Sequence, residues 1–324
     1  MNTLPIITLE EIQACLSEDD VLTAVKGALV SHGRGEVNSP PPGILQIDNP
    51  AVGECHIKYG HQKGADTFVV KIASGFRDNG KLGLSPNSGM MLVLSAQTGA
   101  PVCVLDDQGW LTDIRTAAAG ALAAQAGAPD NVKAIGIIGT GEQARLQAYW
   151  TCRLLGLKSI VVYGRNPEQV TKYVTDMTAQ GYEVSSVSEV KELLGQCNLV
   201  ITTTPSPTAL VLKDDVQPGT HIVAMGADNP GKQELDAVLF EQAAAIMVDD
   251  LAQCVHHGDL GHAVRGGLIS QDRAVSLGLV LAGEQPGRLN ADDITIADLT
   301  GIAAEDIAVA SLVWERLKIK QGRT

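Results

Sequence analysis

The stretch IGIIGTGEQARLQ, residues 135–147, passes from a short apolar run through a glycine-rich turn into an amphipathic segment. Gly139, Gly141 and Ala144 fall in the spacing GxGxxA, with Thr140, Glu142 and Gln143 filling the positions between and beside them. In a strand–turn–helix unit the first glycine allows the tight turn, the second lets a pyrophosphate approach the backbone, and the small third residue lets helix and strand pack closely. The N–H groups at the helix start then face the phosphates with a partial positive charge. Glycine turns of this kind are common, so the reading depends on what flanks it.

The flanks supply a regular rhythm. KAIGIIG, GEQARLQAYWTCRLLG, SIVVYG, NPEQVTKYVTDMTAQ, LVITTT and HIVAMGA alternate between strand-like and helix-like patterning, which predicts a parallel sheet with crossover helices. A dinucleotide-binding domain of α/β, Rossmann type follows. At the end of the second strand an acidic residue usually accepts the ribose hydroxyl of NAD, whereas this chain has Gly164, Arg165 and Asn166. Arg165 suits a 2′-phosphate, so NADP(H) is the preferred cofactor and NAD(H) the alternative; the other reading of Arg165 is a solvated surface side chain. Beyond AAAIMVDD the pattern is less clear, until GIAAEDIAVASLVWERLKIKQG closes the chain as a helix.

Ahead of this domain the patterning differs. TLEEIQACLSEDDVLTAVKGALVSHGRGEV fits two helices separated near Ser17, a candidate N-cap. After NSPPPG come GILQID, ECHIKYG, TFVVKIAS and GMMLVLSA, short strands divided by turn residues, so a second domain of α+β type is expected. The length of 324 residues agrees with two domains. Net charge of −13 and 3% aromatic residues argue against nucleic acid as a partner. The N-terminal residues lack a secretory pattern and no long uncharged apolar run occurs, so a soluble cytoplasmic protein without membrane association is expected. Six scattered cysteines without a CxxC pair read as reduced, mostly buried thiols.

VVKIASGF, LTDIRTAAAGALAA, GIIGTGEQA, THIVAMGADNPGKQELD and LTGIAAEDIAVA occur in an order and spacing that resembles the ornithine cyclodeaminase/mu-crystallin family over nearly the whole chain. The resemblance implies a homodimer, with residues 1–125 plus 303–324 as the substrate-binding and dimerisation domain and 126–302 as the Rossmann domain. It also implies hydride transfer between a nicotinamide and the α-carbon of a small amino or imino acid. A cyclodeaminase that recycles its cofactor, and a binding protein for NADPH and a small ligand, are the rival readings.

Arg115 is the only cation in LTDIRTAAAGALAAQAG, and near a helix start a cation is disfavoured by the dipole unless an anion meets it. The resemblance makes it the clamp on the substrate carboxylate, for which a guanidinium fork is suited; the alternative is a salt bridge. Lys71, inside an apolar strand, must reach water or an anion, and the resemblance makes it a substrate ligand or proton donor. Asp228 follows the strand HIVAMGA and matches an aspartate that handles protons at the amine; the alternative is an ordinary turn residue. Where many members have an arginine after a proline pair, this chain has Pro42. Lys58, with His56 on the same strand face, is the candidate replacement. Thr116, Thr203, Gly226 and Thr300 complete the candidate cofactor contacts. CVHHGDLGH gathers His256, His257, Asp259 and His262, but not at a metal-protease spacing, and no metal is expected.

Overall fold

The computed structural model describes residues 4–320. Their contacts divide into two compact units, one running to Thr116 and taking up again at Ile302, the other being Ala117–Gly301.

The first unit begins with β1 (Ile6–Thr8), α1 (Leu9–Gln13) and α2 (Glu18–Gly33). Both helices start in capping boxes, in which Thr8 and Ser17 accept from the backbone while Glu11 and Asp20 reach back. Next come β2 (Val37–Asn38), β3 (Gly43–Ile47), β4 (Gly53–Gln62), β5 (Thr67–Gly75), β6 (Asn87–Ser95) and β7 (Pro101–Asp106). The sheet order is β1-β7-β6-β5-β4-β2, with β3 also on β4; the pairs are antiparallel except β1 with β7. β4 and β5 are longer than the apolar motifs that announce them, and β7 completes the sheet from PVCVLD, a segment the sequence patterning did not single out.

One cross-strand row of this sheet reads Lys58, Lys71, Met91, Leu105. Lys71, Met91 and Leu105 are buried. Successive side chains alternate between faces, and the neighbouring row on the opposite face, Ile57, Ile72 and Met90, is exposed and apolar. The chain then enters α3 (Trp110–Gly127).

In the second unit β8 (Ile135–Ile138), α4 (Glu142–Leu155), β9 (Ser159–Tyr163), α5 (Pro167–Ala179), β10 (Glu183–Ser186), α6 (Val190–Leu194), β11 (Leu199–Thr202) and β12 (His221–Ala224) follow, and all but β10 and α6 were expected from the sequence. α7 (Leu239–Gln242) and β13 (Ala245–Val248) follow, and the less legible remainder forms α8 (Leu251–His257), α9 (Leu260–Arg265), β14 (Ala274–Ser276), α10 (Leu277–Leu281) and β15 (Thr295–Asp298). All pairings are parallel in the order β10-β9-β8-β11-β12-β15-β13-β14. Strands β8, β11, β12 and β15 are buried throughout, as strands covered on both faces must be. The order reverses between β8 and β11, and open sheets of this kind bind ligands beyond the carboxyl ends of the strands at such a point.

The small residues of α3 have a packing reason. A Cβ on Gly120 would collide with Gln147 and Met225, and one on Gly127 with the His221 ring. His221 is fully buried, with Nδ1 2.8 Å from Thr295 Oγ1 and Nε2 3.0 Å from the Ala123 carbonyl.

The last helix, α11 (Ala303–Lys320), belongs to the first unit and packs on β4, β5, β6 and α2. Among the described residues no helix is long and apolar enough to cross a membrane.

Candidate active-site residues

The nucleotide turn sits between β8 and α4. Gly139 has φ +129°, a region that favours glycine, and a Cβ there would strike Thr203 Oγ1. Its N–H donates to the Tyr163 carbonyl at 2.9 Å. Gly141 is the N-cap of α4, offers no capping side chain, and a Cβ on it would meet nothing within 4 Å. Space and N–H groups therefore coincide at the head of a long helix, which fits the phosphates of a dinucleotide. Ala144 is fully buried, while Thr140, Glu142 and Gln143 line the turn and first helical residues. Gly164 packs against the Thr140 methyl, and Arg165 is exposed beside it. Asn166 caps α5, accepting from the backbone N–H groups of Glu168 and Gln169.

Beyond β11, Thr203 donates from its backbone to the Ile138 carbonyl at 2.9 Å. Its two neighbours are held by a residue that sequence reading did not identify, Glu234. This fully buried carboxylate accepts from Thr202 Oγ1 at 2.6 Å, the Thr204 N–H at 2.5 Å, Thr204 Oγ1 at 2.7 Å and the Gly226 N–H at 2.7 Å. Burial pushes Glu234 up to about 7, Asp259 adding to the rise while the threonine hydrogen bonds oppose it. Gly226 thus belongs to a loop fixed at its backbone. Two residues on, Asp228 is half-exposed and forms an ion pair with Lys232.

Thr300 is buried, and its N–H donates to Asp249 at 2.9 Å while its hydroxyl accepts from Gln253. The histidine-rich segment does not converge. His256 and His257 stack edge-on, His262 Nε2 contacts the Lys232 carbonyl, and Asp259 accepts the N–H groups of Glu234 and Leu235. Among the described residues no three His, Cys, Asp or Glu side chains are grouped to hold a metal.

In the first unit Lys71 and Arg115 come together although they stand far apart in sequence. Lys71 is 2% exposed and Arg115 4%. The anions that hold them come from the first turn of α11. Lys71 Nζ lies 2.8 Å from Asp306 Oδ2, Arg115 Nε 3.0 Å from Asp306 Oδ1, and Arg115 Nη1 2.6 Å from Glu305 Oε2. Burial drives Lys71 down to about 7; Asp306 resists, whereas Arg115 and Lys58 add to the fall. Burial raises Asp306, but Arg115, Lys71 and Lys58 together outweigh it and leave the carboxyl below its usual range.

Lys58 stands directly opposite Lys71 on β4 and is half-buried. His56 lies two residues earlier on that face, with Nε2 3.6 Å from Glu54 Oε1. Pro42 immediately precedes β3, and Thr116 Oγ1 donates to the Thr112 carbonyl at 2.7 Å. Asp107, at the turn from β7 into α3, is a further acid of this cluster. It is 1% exposed and accepts from the Leu111 N–H at 2.9 Å. Glu305 and Asp306 carried a signal in the sequence: two adjacent acids in the first turn of a helix, directly ahead of the apolar run IAVA.

The profile of the ornithine cyclodeaminase/mu-crystallin family matches residues 5–321. The chain belongs to this family. The chain is 35% identical to the alanine dehydrogenase of Archaeoglobus fulgidus, over 97% of this chain and 95% of that protein. A solved archaeal alanine dehydrogenase dimer with bound NAD superimposes with a TM-score of 0.89, at 33% identity over 98% of this chain and 97% of its own. The iminosuccinate reductase of Paracoccus denitrificans, solved in complex with NAD+, also gives 0.89, at 30% identity over 99% and 98% of the two chains. These similarities extend over both units, so the cation cluster and the nucleotide turn lie within one family fold.

Proposed function

We propose that this chain is a nicotinamide-dependent oxidoreductase acting at the α-carbon of a small amino or imino acid. The observation that carries the reading is the buried pairing of Lys71 and Arg115 on a unit whose relatives are dehydrogenases and reductases of such acids. When bound, the nicotinamide supplies or accepts the hydride. Gly139, Gly141 and Ala144 admit its pyrophosphate at the head of α4, and Thr203 and Gly226 are held in place beside the turn by Glu234.

Arg115 and Lys71 receive the substrate carboxylate. Asp306 keeps both cations oriented, and Lys58 adds positive field across the strand pair. With its ammonium brought to about 7, Lys71 Nζ holds or releases a proton at physiological pH, which suits a group that exchanges protons with an amine. Asp228 is proposed as the acid–base partner at the substrate nitrogen, and its ion pair with Lys232 orients the carboxylate.

Arg165, exposed at the end of β9, supports NADP(H) as the preferred form. The experiment is oxidation of NADPH and of NADH, followed by absorbance, with five- and six-membered cyclic imino acids and with 2-oxo acids plus ammonia or methylamine. Faster turnover with NADPH and any member of the panel is the expected result. Release of ammonia from ornithine with only catalytic cofactor would replace the reading by cyclodeamination; no reaction of either kind would leave a binding protein.

A homodimer is proposed as the working assembly. Ile57, Tyr59, Ile72 and Met90 make an exposed apolar face on the sheet of the first unit, and a relative is solved as a dimer. Light scattering should give twice the chain mass, and Ile72→Lys should shift it toward the monomer.

A further inference from the structure

Arg145 has no part in the reading above, yet its side chain folds back over the nucleotide turn from the first turn of α4. Its Nη1 donates to the Thr140 carbonyl and, at 3.1 Å, to the Gly141 carbonyl. On the other edge Nε and Nη2 donate to Oδ2 of Asp176, on α5, at 3.2 and 2.9 Å. The guanidinium carbon lies 5.1 Å from the centre of the Tyr173 ring, also on α5. The buried Tyr173 hydroxyl in turn donates to the Ala144 carbonyl at 3.2 Å.

The two carbonyls decide where their peptide N–H groups point. Both peptides are trans, and a trans peptide directs its C=O and N–H to opposite sides. The Thr140 carbonyl shares a peptide with the Gly141 N–H, and the Gly141 carbonyl shares one with the Glu142 N–H. Gathering both oxygens on one guanidinium therefore turns both N–H groups away from the cation. These belong to the donors at the start of α4 that an anion would meet. An arginine suits the task because its planar fork reaches carbonyls with one nitrogen and a carboxylate with the other two, whereas a lysine ammonium is a single centre.

α5 meets the turn at one more place. A Cβ on Gly164 would strike the Thr140 methyl at 2.6 Å and the Val170 side chain at 2.9 Å. Val170, Tyr173 and Asp176 stand three residues apart, in one inclined row along the helix. Lys172 holds the same Asp176 oxygen at 2.8 Å, which fixes that carboxylate from a second side.

We infer that Arg145, braced on α5 by Asp176 and Tyr173, is a positioning residue that orients the Gly141 and Glu142 N–H groups toward the pyrophosphate of the dinucleotide. The inference rests on the proposed nicotinamide cofactor for its ligand, and on the hydrogen bonds of Arg145 for its geometry.

The test is fluorescence titration of the full chain with NADPH, in wild type, Arg145→Met, Arg145→Lys and Asp176→Ala. Titration at about 0.05 M and at about 0.5 M salt separates screened charge from fixed geometry. Adenosine 2′-monophosphate, which carries the adenine end of the cofactor without its pyrophosphate, is the second probe, measured by calorimetry. NADPH should bind about tenfold more weakly in both Arg145 variants and about threefold more weakly in Asp176→Ala. The loss should persist at the higher salt, and adenosine 2′-monophosphate should bind all four chains alike. Should the Arg145 variants fail to fold, Asp176→Ala, which alters a partly exposed side chain, carries the same comparison. Equal weakening of both probes would reveal a general loss of structure, and a loss that vanishes at the higher salt would reveal a field effect alone. Either result overturns the inference, as does unchanged NADPH affinity in the variants. A wild-type chain that binds neither NADPH nor NADH overturns the cofactor reading itself, and the inference with it.

Discussion

Lys71 and Asp306 meet at 2.8 Å with both side chains almost entirely out of water. Arg115 shares the same carboxylate through Oδ1, so Asp306 is the common counter-ion of two buried cations. Removing one partner of such a set leaves charge buried without compensation, which costs about 3–5 kcal/mol. Asp306→Ala should therefore lower stability by about that amount in urea unfolding. Adding Lys71→Met should recover part of the loss, since the buried amine left without its partner is gone. A double variant no more stable than Asp306→Ala would show that the loss lies in packing and not in charge.

Glu234 makes a sharper case for carboxylate over amide. Thr204 N–H donates to Oε1 and Gly226 N–H to Oε2, and a backbone N–H can only donate. In Glu234→Gln one of these faces the amide NH2, so one loop loses its acceptor whichever way the side chain turns. The expected cost is about 1–3 kcal/mol, together with weaker NADPH binding in fluorescence titration because Thr203 sits between the two held threonines. Unchanged affinity would separate Glu234 from the nucleotide turn.

The two glycines of the turn should respond oppositely. Gly139→Ala places a methyl against Thr203 in a backbone conformation that alanine avoids, so the melting temperature should fall. Gly141 has φ −77° and open space beyond it, so Gly141→Ala should fold normally. Its methyl would occupy the approach to the pyrophosphate, and dinucleotide affinity should drop by an order of magnitude or so. Equal affinity in Gly141→Ala and wild type would place the phosphates elsewhere.

Much of the second unit could be read from the chain because its information is local. GxGxxA, the apolar strands and the caps act within a few residues of themselves, and the resulting β8–α4–β9 unit follows. The cation cluster was half legible: Lys71 in an apolar strand had to reach water or an anion, but nothing local pointed to α11, which lies more than two hundred residues on. Nothing in the sequence singled out Glu234 or Asp107, since burial is set by distant elements that close over them. The strands after Val248 were obscure for a related reason: β14 and β15 reach the sheet across irregular segments, out of step with the earlier repeat.

His221 gives the last prediction, in which the sign depends on burial. The ring is fully buried between Ala123 and Thr295, and burial pushes it down to about 4, against its ordinary 6.5, despite the carbonyls on either side. Below 6.5 the unfolded chain takes up a proton that the folded ring refuses, so this contribution to stability is present above 6.5 and is lost as pH falls toward 4. The loss should reach about 3 kcal/mol over that span. Glu234, raised to about 7, acts in the opposite sense, its contribution being present at low pH and lost as pH rises through 7. The wild-type curve alone therefore mixes the two, and the difference between wild type and His221→Gln isolates the ring. That difference, measured by urea unfolding at steps from pH 7 to pH 4.5, should favour wild type at pH 7 and narrow steadily with acid. A constant difference would mean that the folded ring takes up its proton over the same pH range as the unfolded one.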